Sequence, residues 1–98
     1  MKFYAMASYV VDDFNRFMAE FEGAQDMLQK WGFIKTYLNR DVANPNRLII
    51  IHQCEDLQKA RDFYKSKEFQ QCLAEAGVPA PQVTLMEELA RTPQAAAA

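Results

Sequence analysis

Ninety-eight residues and 11.3 kDa suffice for one folded domain and are too few for two. Half of the residues are apolar and 24% are charged, which excludes a disordered chain, and a net charge of −2 gives no electrostatic reason to expect nucleic acid or an anionic membrane as partner. No apolar run reaches the roughly 18 residues of a membrane span, Met1-Lys2-Phe3-Tyr4 opens on a strand pattern instead of a signal peptide, and Cys54 and Cys72 lack metal spacing, so free thiols in a cytoplasmic protein are the expectation.

Phe3 to Val11 is aromatic, β-branched and almost uncharged, the composition of a central strand. Asp12-Asp13 ends it and supplies a carboxylate to cap the next element. Phe14, Phe17, Met18, Phe21, Leu28 and Trp31 then recur at helical steps, predicting one amphipathic helix that Gly32 stops. Phe33 to Asn39 reads as a second strand and Arg47 to Cys54 as a third, joined by the turn formers of Arg40 to Asn46. Asp56 caps a second helical stretch, in which Ser66 is a second N-cap that predicts a kink or restart before Lys67, and Gly77 ends it. Gln82 to Leu89 alternates as a fourth strand, so residues 1–89 form the domain and residues 90–98 a disordered tail.

The order βαββαβ predicts an α+β, ferredoxin-like domain: a four-stranded antiparallel sheet in the spatial order 4-1-3-2, with both helical stretches on one face. The third strand, however, carries Leu48 and Ile50 on one side and Ile49 and Ile51 on the other. A sheet that is apolar on both sides needs a second cover, and a second copy of the chain, sheet against sheet, is the economical one. A homodimer is therefore expected.

The run from Asn44 through Arg47-Leu48-Ile49-Ile50-Ile51-His52-Gln53-Cys54 to Ala60 resembles the third-strand-to-second-helix segment of small members of the dimeric α/β-barrel superfamily. That group holds antibiotic-biosynthesis monooxygenases, stress-responsive barrel proteins, muconolactone isomerases and small polyketide cyclases. Ser66-Lys67-Glu68-Phe69, Ala76-Gly77-Val78 and Glu87-Glu88 add to the resemblance, which covers residues 3 to 89. It implies a ligand cleft between the sheet and helices of each subunit and two sheets that close a barrel at a dimer interface. It identifies no reaction.

His52 is the only histidine, hence the only side chain whose ordinary pKa lies near neutrality. With strands one and three read as running in the same direction, Tyr9 and His52 meet at the mouth of the cleft. There an imidazole and a phenol would form a proton shuttle for a polyketide-like ligand, a pairing that the resemblance to cyclases of the superfamily implies. The other reading of His52 is structural, a ring hydrogen-bonded to a tyrosine or a carbonyl. Burial is expected to keep it neutral. Trp31 is either a core anchor or an aromatic wall for a planar ligand, and Tyr37 either lines the cleft or faces the dimer partner. Phe17, Phe21, Phe63 and Phe69 recur at helical spacing as core residues, with Phe17 and Phe63 assigned to the cleft wall. Cofactor-free oxygenases of the superfamily use Trp and Asn near the substrate; Asn15 and Asn39 are the candidates outside the hairpin loop, and neither matches that motif. Haem-degrading relatives present a histidine from a helix, whereas here it sits on a strand. No metal or cofactor site is expected. Two functions stand at this point: a cofactor-free small-molecule oxygenase or cyclase, and a non-catalytic dimeric ligand-binding or stress-related module.

Overall fold

The structure, a computed structural model, describes residues 1–92. Strands β1 (Phe3–Val10), β2 (Phe33–Arg40), β3 (Arg47–Cys54) and β4 (Gln82–Glu87) form one sheet in the order β2-β3-β1-β4, with every neighbouring pair antiparallel. Helices α1 (Phe14–Gly23), α2 (Gln25–Lys30), α3 (Leu57–Lys65) and α4 (Lys67–Ala76) complete an α+β, ferredoxin-like fold. β4 stops two residues short of the expected Leu89, which is exposed. Of the expected tail, positions 93–98 lie outside the described residues. No helix among those described is long and apolar enough to cross a membrane.

Local chemistry explains most element boundaries. The Asp13 carboxylate accepts from the Arg16 amide at 3.0 Å, and Asp56 accepts from Gln58 and Lys59 at 2.7 and 3.2 Å, capping α1 and α3. The Ser66 hydroxyl donates to the Phe63 carbonyl at 2.6 Å and accepts from the Phe69 amide at 3.1 Å, so it closes α3 and opens α4. Gly77 ends α4 in the left-handed region, φ 69°.

The helix expected to run unbroken to Trp31 is two helices. Ala24 leaves helical geometry at φ −94°, ψ 3°, and its amide bonds only three residues back, to the Phe21 carbonyl at 3.2 Å. The Gln25 side-chain amide donates to that same carbonyl at 2.9 Å. Gly23, about 1 kcal/mol poorer than alanine inside a helix, is where the chain gives way. Gly32 then ends α2 at φ 85°, as expected.

The inner face of the sheet is small where α3 crosses β1 and bulky elsewhere. Ala5 and Ala7 on β1 and Ala60 on α3 have no exposed surface. Leu48, Ile50, His52 and Cys54 alternate inward along β3, and all are buried. Phe63 lies at the centre of an aromatic cluster, its ring centroid 4.9 Å from Phe69, 5.1 Å from both Phe33 and Tyr64, and 5.9 Å from Trp31. The register turns Tyr4, Met6, Ile49, Ile51, Tyr37 and Met86 to the opposite face, which none of the helices among the described residues covers.

Candidate functional site

His52 lies at the bottom of the space between sheet and helices, with only 3% of its surface exposed. Its Nδ1 is 2.7 Å from the Thr36 hydroxyl, directly across the β2–β3 pairing, and its ring is 4.5 Å from the Phe33 ring. Burial, with no carboxylate to oppose it, pushes the imidazolium down to about 4, so the ring is neutral at pH 7, in keeping with the expected desolvation. Which ring nitrogen carries the proton follows from Thr36: if the hydroxyl accepts from Nδ1–H, Nε2 is left as the base, and if it donates, Nε2–H is left as a donor.

The ring borders a cavity of about 60 Å³ whose wall is almost wholly apolar. Tyr9, Phe17 and Phe63 also line it, from β1, α1 and α3. The expected Tyr9–His52 pair does not form, because β1 and β3 are antiparallel. Tyr9 stands opposite Leu48 and His52 opposite Ala5, which separates the two by four residues, roughly 13 Å along the strand. They sit at opposite ends of one cavity instead of side by side at its mouth. Tyr9 packs on Phe17 at 5.4 Å, and burial raises its phenol well above the ordinary range.

The remaining candidates divide. Trp31 packs on Phe63, does not border the cavity, and leaves its indole N–H buried with no hydrogen-bond partner among the described residues. Tyr37 is on the opposite face of the sheet, paired with Ile51 and 49% exposed. Asn39 shares that face and donates to the Ile49 carbonyl, and Asn15 is exposed on α1. Cys54 bonds to the His52 carbonyl while Cys72 lies 3.9 Å from the Met27 sulfur; both thiols are free, and burial, the larger cause, pushes each up to about 11.

Three residues of this region escape a sequence reading. Thr36 is legible only once the β2–β3 register is known. Glu20 and Cys72 line the cavity too, as polar residues beside Tyr9 and His52. Glu20 does carry a signal, since it stands three residues after Phe17 and so on nearly the same helix face. A second, wider space of about 590 Å³ opens between α2 and β2, with Thr36 and Leu38 on one wall and Gln25 and Gln29 on the other. Phe21 and Leu28, on either side of the α1–α2 break, border both spaces and so form the partition between them.

The fold puts the chain in a recognisable structural class. Its backbone matches a candidate antibiotic biosynthesis monooxygenase of Bordetella bronchiseptica over 91% of this chain and 98% of that one, with a TM-score of 0.76 at 22% identity. It matches SnoaB, a cofactor-independent oxygenase of Streptomyces nogalater, with a TM-score of 0.75 at 14% identity, covering 95% of this chain and 98% of SnoaB. A candidate monooxygenase of Deinococcus radiodurans matches at 0.66 and 13% identity, over 96% of this chain and 99% of its own. No family model matches the sequence, and no curated protein matches it. Identities this low establish a shared fold: the chain has the α+β fold of the antibiotic biosynthesis monooxygenase-like structures, as its sequence motifs suggest.

Proposed function

We propose that the protein is a homodimeric small-molecule enzyme that binds an apolar aromatic ligand between sheet and helices and oxidises it without a cofactor, His52 acting as the base. The carrying observation is the lone imidazole, neutral, buried and held through one nitrogen by Thr36, at the floor of an apolar cavity. The likeness in fold to a cofactor-independent oxygenase supports the reading. In the tautomer that donates Nδ1–H to Thr36, Nε2 takes a proton from an activated C–H of the ligand. The carbanion passes its electrons to dioxygen, the resulting hydroperoxide loses water, and the sum is CH₂ + O₂ → C=O + H₂O. Tyr9 is too far along β1 to serve the same carbon, so its hydroxyl holds the far end of the ligand. The second copy covers the open sheet face, and the free thiols favour a cytoplasmic setting.

One observation favours the second reading, a binding module without turnover. Ligand pockets usually measure about 300–1,000 Å³, and 60 Å³ holds only a few water molecules. A ring system enters once Phe21 and Leu28 swing aside and join the cavity to the groove. Oxygen uptake in the presence of a tricyclic enolisable ketone such as an anthrone decides between the readings. The enzyme reading expects uptake above the buffer rate that His52→Ala abolishes while fold and assembly persist. Binding without uptake in the native protein overturns it in favour of the module.

A further inference from the structure

The charges around the two spaces are of one sign. The cavity holds Glu20 and the groove holds Asp26 and Glu55, while no lysine or arginine borders either one. The only basic side chain on their walls, His52, is neutral at pH 7. Three of the cations that lie near lining residues in the chain are engaged elsewhere. Arg16 donates from Nε to the Glu75 carbonyl at 2.8 Å, Lys30 pairs with Glu68 at 3.4 Å, and Lys59 pairs with Glu55 at 2.9 Å. Lys59 offsets Glu55, whereas no ion pair among the described residues offsets Glu20, which is half-buried on α1 and lines the cavity together with Cys72. The Cys72 thiol shares these carboxylate-rich surroundings. After burial, what raises it is Glu20, then Glu75 and Glu68, all carboxylates.

A ligand anion brought into this space gives up water and meets a carboxylate on an otherwise largely apolar wall, whereas a hydroxyl there finds a ready acceptor. Resting on the ligand-binding reading above, we propose that Glu20 is a specificity-determining residue that admits uncharged aromatic ligands bearing a hydroxyl donor and rejects carboxylates and phosphates. The ligand would lie with its hydroxyl on Glu20 at the α1 side of the cavity and its ring among Phe17, Phe21 and Phe69, pointing toward His52.

The test compares 2-naphthol with 2-naphthoate, probes of equal ring size, by calorimetry at pH 7, with the His52 ring resonances locating them. The native protein is expected to bind 2-naphthol at least tenfold more tightly and to shift the His52 signals. Glu20→Gln keeps an acceptor for the naphthol but removes the charge, so its naphthoate affinity should rise and the gap should narrow at least threefold. Glu20 lies partly exposed on a helix, and the substitution conserves its shape. Equal affinities in the native protein, or a gap that Glu20→Gln leaves unchanged, overturn the role of Glu20 while the His52 shift by naphthol still upholds ligand binding. If neither probe moves the His52 resonances, the ligand reading falls and this proposal falls with it.

Discussion

The two faces of the sheet are built from nearly the same residue types and have opposite fates. On the helix side, Ile50 is 2% exposed and packed among aromatics, while its neighbours Ile49 and Ile51 stand half-buried on the bare face beside Tyr4, Met6 and Met86. Identical side chains one position apart therefore serve different ends, one closing a core within the chain and the other offering a surface to something outside it. Apolar area contributes about 25 cal/mol per Å² only when water is excluded from it, so the bare face gains nothing until it is covered.

Three experiments sharpen this contrast. The largest effect is expected on the bare face. Ile51→Lys would place an unpaired charge in the proposed dimer interface, and sedimentation equilibrium at low micromolar concentration should show the assembly lost, leaving monomer or aggregate. A native protein that sediments as a folded 11.3 kDa monomer would remove the second copy from the account altogether. On the helix side, Phe63→Ala should lower the stability measured by urea unfolding by about 3–5 kcal/mol, because four aromatic neighbours cannot all collapse into the hole. A loss under about 1 kcal/mol would mean that the cluster is far softer than its centroid distances imply.

The third effect is a pH dependence confined to the inner face. His52 is held near 4 in the folded chain against an ordinary 6.5, so on acidification the unfolded chain binds the proton first. The stabilisation is fully present above about pH 6.5 and fades as the pH falls to about 4, by at most about 3 kcal/mol. Below that both states are protonated and this contribution is flat. Urea midpoints measured from pH 7 to 4 should show the decline in the native chain and a shallower one in His52→Gln, whose remaining slope comes from carboxylates. A His52 titration at or above 6.5 by NMR would contradict the desolvation that places the ring in the cavity wall.

Much of the fold was legible because its signals are local. Cap side chains act over two or three residues, which is why Asp56, Ser66 and Gly77 announced the second helical stretch and its restart, and why Arg47–Cys54 could be read from β-branching alone. The break at Gly23–Ala24 was missed because the apolar spacing continues across it, and spacing is blind to a carbonyl shared between a main-chain amide and the Gln25 side chain.

The candidate site was legible in part. His52 and Phe63 declare themselves by scarcity and helical period, but the company they keep depends on pairing between distant segments. Alternation along one strand assigns residues to faces without saying which strand lies beside it, or in which direction it runs. Antiparallel pairing separated Tyr9 from His52 and brought Thr36 to it, and the bulge at Ile34 set the register that turned Tyr37 away from the cleft. The amino-acid sequence by itself determined the element order, the caps at Asp13, Asp56 and Ser66, the two-sided apolar sheet and the single imidazole, but not the break between α1 and α2. Only the tertiary structure decided which groups share the cavity, how small it is and what charge borders it, because those follow from contacts between residues tens of positions apart, whose energies no local pattern records.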